Sequence, residues 1–198
     1  TWHPVEPGTN PAFLFQQNSL RDALVAATSL DIFNRHADKV VMANIAQTIN
    51  VLQAMILTQG EKMLVTPTGY VYEMYAPHQG GTSLRTVIES DAATYTASGK
   101  AQQVATVSGS ASRTGRVLFL TLTNAHATDA VEVTVDLLGG AQAAGGAARI
   151  LSGEIHAHNT FDAPETLTPR PYAIDATGAS FVITLPPASV LAAEIALG

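Results

Sequence analysis

Asp38-Lys39-Val40-Val41-Met42-Ala43-Asn44 is the stretch on which the reading of the fold turns. Its four central residues form a continuous apolar run, β-branched at its start. Such a run suits a strand buried on both faces, as in a parallel sheet. Upstream, from about Leu14 to His36, the chain reads as a helix. Leu20, Ala23, Leu24 and Ala27 recur at i, i+3, i+4 and i+7 and make one apolar stripe, with Gln16, Gln17, Arg21 and Asp22 off it. Residues 1–12 carry three prolines and a glycine and read as a loop. Downstream, Asn44 to Leu52 is polar-interrupted and reads as a loop entering a short helix. Thr66-Pro67 then supplies an N-cap and a proline at the first helical position, which predicts a helix through Tyr70 to Tyr75. Residues 1–78 therefore read loop, helix, parallel-type strand, loop, helix. That is an end piece of a repeated β/α architecture.

Near residue 79 the pattern changes to β. Candidate strands are Leu84 to Ile88, Val104 to Val107, Val117 to Leu122, Arg149 to Ile155, Phe181 to Leu185 and Val190 to Ile195. Val131-Glu132-Val133-Thr134-Val135-Asp136 alternates strictly, so one of its faces is wet. The Ala/Gly stretch from Gly139 to Gly146 reads as a flexible hairpin loop. Short strands separated by Gly-, Ser-, Asn- and Pro-rich turns predict a sandwich or jelly roll over 79–198. The 198 residues are 46% hydrophobic and 13% charged, enough to bury a core. A net charge of −6 with no basic stretch argues against nucleic acid or an anionic membrane surface as partner. No apolar run reaches the length of a membrane span. The absence of cysteine excludes disulfides and thiolate metal sites. The N-terminus lacks the basic and apolar regions of a signal peptide.

Several segments resemble the α-L-arabinofuranosidases of glycoside hydrolase family 51. The most specific runs from Ile32-Phe33-Asn34-Arg35-His36-Ala37-Asp38 through Val40–Ala43 to Asn44-Ile45-Ala46-Gln47-Thr48-Ile49-Asn50-Val51-Leu52-Gln53. Gln16 to Leu24, Thr66 to Tyr75, His158 to Glu165 and Leu185-Pro186-Pro187-Ala188-Ser189-Val190 are also similar. The resemblance implies a mixed fold: residues 1–78 as the last helix-strand-helix part of a catalytic (β/α)₈ barrel, and 79–198 as a C-terminal jelly-roll β-sandwich. It implies a retaining hydrolase that removes terminal α-L-arabinofuranosyl groups from arabinan or arabinoxylan oligosaccharides. Such an enzyme needs two carboxyl groups about 5–5.5 Å apart across the scissile bond. By the same resemblance neither is present: Trp2 matches the second Trp of a Glu-Trp-x-x-Trp motif whose nucleophile would lie before Thr1, and the acid/base lies further upstream. The chain alone is expected to be inactive. Gln47 matches a glutamine that hydrogen-bonds the sugar ring, Trp2 an aromatic wall of the same subsite, and Asn44 lies beside them.

Geometry agrees with that assignment, since active sites of such barrels lie at the C-terminal ends of the strands. Gln47 falls just past the Val40–Ala43 run, whereas Arg35 and Asp38 precede it and belong on the opposite face. His3 could touch a leaving group but reads more simply as a loop residue. Glu154, His156 and His158 alternate and could share a strand face. Two histidines and a carboxylate can hold zinc, but a solvated face is the simpler reading, and no metal or cofactor is expected. Asp162 and Glu165 read as a structural turn. Expected partners are an arabinofuranosyl oligosaccharide, the remainder of the barrel and further copies in a homo-oligomer, in the cytoplasm. The competing reading is a non-catalytic sandwich that binds carbohydrate or serves assembly.

Overall fold

The computed structural model describes Gly8, Asn10 and residues 17–198. Helix α1 spans Leu20–Arg35. It begins six residues later than the periodicity suggested, because local groups stop it at Ser19. The Asp22 carboxylate accepts from the Ser19 backbone N–H at 2.9 Å and from its hydroxyl at 3.0 Å, a capping arrangement. The first helical amides, Leu20 and Arg21, donate to the carbonyls of Ala157 and Ile155. The orphan donors of the first turn are thus satisfied by another chain segment. The predicted apolar stripe is buried and continues through Leu30 to Asp31.

Helix α2, Pro67–Tyr75, starts where Thr66-Pro67 predicted: the Thr66 hydroxyl accepts from the Gly69 N–H at 3.1 Å. A 3₁₀ turn, Ala76–His78, follows. Between the helices lies an antiparallel hairpin that the sequence reading did not anticipate, β1 (Ile56–Gln59) and β2 (Lys62–Val65). Its two-residue turn begins at Gly60, whose φ of 59° suits a residue without Cβ.

The remaining strands are β3 (Thr82–Leu84), β4 (Ala92–Ala97), β5 (Lys100–Ala105), β6 (Val107–Thr114), β7 (Val117–Asn124), β8 (Val131–Asp136), β9 (Ala143–Ser152), β10 (Arg170–Tyr172), β11 (Thr177–Gly178), β12 (Ser180–Leu185) and β13 (Ser189–Leu197). One antiparallel sheet has the order β10-β9-β13-β7-β6-β3, with β11 also on β9. A two-stranded sheet, β8 and β12, covers one of its faces. Period-two alternation separates the faces. Leu118, Leu120 and Leu122 of β7, with Leu191 and Ile195 of β13, meet Phe181, Ile183 and Leu185 of β12 in one core. Val190 and Leu151 point the other way and join Leu20, Leu24, Val71 and Met74 of the helices in a second core. The result is a β-sandwich with two helices packed on its outer face. Hairpin β4–β5 stands away from it.

Several expectations change. Leu84 to Ile88 is not a strand, since β3 ends at Leu84 and residues 85–91 are irregular, and Asn44 to Leu52 leads into no helix. The Gly139–Gly146 stretch is not all loop: Gly139 and Gly140, at φ 75° and 81°, make the turn, and β9 begins at Ala143. Glu154, His156 and His158 do not share a strand face. Glu154 and His156 flank a turn in which Glu154 accepts from the His156 N–H at 2.8 Å, and His158 lies beyond it in a bridge to Ser19. Val40–Ala43 joins no ladder. A parallel strand exists only through neighbours, and none of the described strands flanks it.

Candidate functional site

Gln47 and Asn44 are both exposed, on the irregular segment that follows Val40–Ala43. Trp2 and His3 lie outside the described residues. The segment is irregular but well tied. The Gln47 N–H donates to the Val51 carbonyl at 3.2 Å, and the Thr48 carbonyl accepts from the Met55 and Ile56 N–H groups at 3.1 and 3.0 Å. Asn50, at φ 61°, is a residue type that tolerates this conformation. Its carboxamide accepts from the Thr58 N–H at 2.7 Å and donates to the Thr58 hydroxyl at 2.8 Å. The loop that carries Gln47 is therefore stitched to β1.

Behind the loop sits a buried polar brace that sequence reasoning missed. The Ala54 carbonyl accepts from the Asn18 carboxamide and the Thr66 hydroxyl, at 3.2 and 2.7 Å, while the Thr68 hydroxyl donates to Asn18 at 2.6 Å. Asn159 donates to the carbonyls of Val65 and Leu167 and accepts from the Leu167 N–H. These bonds join the start of α1, the start of α2, the hairpin and the sandwich connection 153–167. Gly69 completes the packing: a Cβ there would stand 2.4 Å from the Met55 carbonyl oxygen and 2.8 Å from Val65.

A second polar centre lies between α1 and the sheet. Asp31 is fully buried. Its Oδ1 accepts from Tyr75, Ser110 and Thr121 at 2.8, 3.0 and 3.0 Å, and its Oδ2 from Ser108 at 2.7 Å. Burial pushes the carboxyl above its ordinary range, against the hydroxyls that hold it down. Burial also holds Tyr75 well above the usual tyrosine range. His78 shares Ser112 at 2.8 Å and Thr121 at 3.3 Å, and burial lowers it to about 4. The Asp31 carboxylate is closed to solvent and paired with hydroxyls, so this cluster offers no second carboxyl for hydrolysis. Among the described residues no three His, Cys, Asp or Glu side chains meet as a metal site. No helix among them is long and apolar enough to cross a membrane.

Residues 1–189 match the family model of the α-L-arabinofuranosidase C-terminal domain. The chain belongs to this family. An intracellular exo-α-L-arabinofuranosidase from Bacteroides ovatus is 37% identical over 98% of the chain, which spans 38% of that protein. Among solved structures, the family 51 arabinofuranosidase from Xanthomonas axonopodis pv. citri is similar at 40% identity and a TM-score of 0.88, over 98% of this chain and 39% of that one. A family 51 α-L-arabinofuranosidase from Bifidobacterium longum matches at 26% identity and a TM-score of 0.80, over 98% and 38%. This α-L-arabinofuranosidase C-terminal domain thus corresponds to about two-fifths of its relatives, and the loop with Asn44 and Gln47 lies within the matched residues.

Proposed function

We propose that the chain is the C-terminal part of a retaining α-L-arabinofuranosidase, which removes terminal non-reducing arabinofuranosyl groups from arabinan or arabinoxylan oligosaccharides. Residues 1–78 end its catalytic barrel, Val40–Ala43 being the last barrel strand, and 79–198 form a jelly roll beside it. Trp2, Asn44 and Gln47 line the arabinose subsite, and both catalytic carboxylates come from the preceding polypeptide. One observation carries this reading. Val41 and Met42 are 95% and 73% exposed in a segment without regular secondary structure that immediately precedes a braced loop bearing the exposed Gln47. Apolar backbone without ladder partners is what a barrel strand leaves when its neighbours are elsewhere. A glutamine offers both donor and acceptor to sugar hydroxyls. The named location of the Bacteroides ovatus relative supports a cytoplasmic setting, and the exposed apolar residues support assembly with the rest of the barrel and into an oligomer.

The test is hydrolysis of an aryl α-L-arabinofuranoside. The 198-residue chain alone is expected to give background rates. In the parent enzyme Gln47→Ala is expected to lower kcat/KM by roughly 10- to 100-fold, the value of one or two sugar hydrogen bonds. Turnover by the chain alone, or an unchanged Gln47→Ala enzyme, refutes the reading.

A further inference from the structure

A half-open cavity of about 240 Å³ lies on the helix-side face of the large sheet, past the end of α2 and far along the chain from Gln47. Its construction follows from strand register. Phe119 of β7, Glu194 of β13 and Ala147 of β9 form one cross-strand row, and Thr121, Ala192 and Arg149 form the next. Directly opposed residues stand about 5 Å apart on one face. Ala147 and Ala192 keep the floor low, so the taller side chains around them become walls. Phe119 and His78, in edge contact with ring centroids 6.5 Å apart, make an aromatic side. Across from them Arg149 is held by Glu73 at 2.9 Å.

We propose that this cavity is a binding site for one neutral sugar ring, separate from the loop that bears Gln47. The volume falls just below the range for drug-sized ligands, leaving room for a single ring. An aromatic wall suits the apolar face of a sugar. Glu194 is exposed and in no ion pair among the described residues, so its carboxylate is available to accept from two hydroxyls. The charge balance disfavours an anionic ligand, and the aromatic wall with a hydroxyl acceptor fits a neutral sugar. Glu73 and Arg149 cancel, burial keeps His78 uncharged near neutrality, and Glu194 leaves one net negative charge. An anionic ligand would meet repulsion. The choice of pentoses as probes rests on the proposed function; the chemistry of the cavity does not.

Amide-resolved NMR titration of the 198-residue chain tests this, with L-arabinose and D-xylose as neutral probes and D-galacturonate as anionic control. Saturable shifts are expected at Phe119, Ala192 and Glu194, with a millimolar Kd for the neutral sugars and at least about tenfold weaker binding of galacturonate. Phe119→Ala is expected to weaken binding about tenfold, Glu194→Gln by roughly 3- to 10-fold, and Phe119→Tyr to restore it. Absence of shifts at saturating sugar, shifts confined to the loop around Gln47, or equal binding of galacturonate overturns the proposal. Glu194→Gln changes only an exposed side chain, so the charge argument remains testable if Phe119→Ala unfolds. Hydrolysis by the parent enzyme is a separate readout and fails or succeeds independently.

Discussion

The two faces of the large sheet are built on different principles. Toward β8 and β12 the strands present Leu118, Leu120, Leu122, Leu191 and Ile195, all buried and apolar. Toward α1 the same β6 and β7 present Ser108, Ser110, Ser112, Thr121 and Thr123, also buried. Both faces exclude water, but only the first can do so without direction. Apolar side chains gain by area and tolerate sliding. A carboxylate that collects five hydroxyls accepts one placement of α1 on the sheet. The apolar face therefore adds stability without fixing position, and the hydroxyl patch, beside the second apolar core of Leu151 and Val190, sets how α1 sits on the sheet.

Breaking the apolar face should have the largest effect. Leu191→Ala removes a fully buried side chain from its centre and is expected to cost about 3–4 kcal/mol in urea unfolding. A cost below about 1 kcal/mol would erase the contrast between the faces.

The hydroxyl face should reveal itself through pH. His78 falls from 6.5 to about 4 on folding, because burial favours its neutral form. A depressed histidine contributes stability that is present above pH 6.5 and lost as pH falls toward 4, by at most about 3 kcal/mol. Urea midpoints measured across that window should fall, and His78→Gln should flatten the slope. Asp31 acts with the opposite sign. Its raised carboxyl binds a proton more readily when folded, so protonation at acid pH adds stability that is lost as pH rises. Asp31→Asn is expected to cost about 1–2 kcal/mol near neutrality, since an amide cannot accept from every hydroxyl, and more at acid pH, where that gain is missing. A cost that shrinks on acidification would reverse the assignment. The smallest effect should come from the surface: Glu73→Gln breaks a half-exposed pair with Arg149 and should shift stability by no more than about 0.5 kcal/mol.

What could be read from sequence followed the strength of periodicity. Val131–Asp136 was legible to the residue, because a strand with one wet face writes its alternation into polarity. Thr66-Pro67 likewise marked α2. The start of α1 was misplaced because the local Ser19–Asp22 cap went unread and because its first amides also rely on carbonyls of Ile155 and Ala157, more than a hundred positions away. The β1–β2 hairpin was missed because each strand has four residues, too few for alternation to stand out. Asp31 left a signal that went unread. It continues the spacing of Leu20, Leu24 and Ala27, so it faces inward, and Ser108, Ser110 and Ser112 repeat at the strand period. Gln47 was proposed through resemblance and Asn44 through its place beside it, and nothing in local periodicity would have singled them out. Their brace of Asn18, Thr66, Thr68 and Asn159 joins segments distant in sequence, which no local pattern can show.

Gly69 carries no side chain, yet that absence is what lets α2 close onto the segment that follows the Gln47 loop. Because the first turn of α2 rests directly on the Met55 carbonyl, one added methyl at that position would wedge helix and loop apart. Saturation mutagenesis scored on folding should therefore find this site among the least permissive in the chain, and any redesign of the neighbouring loop would have to begin by keeping it empty.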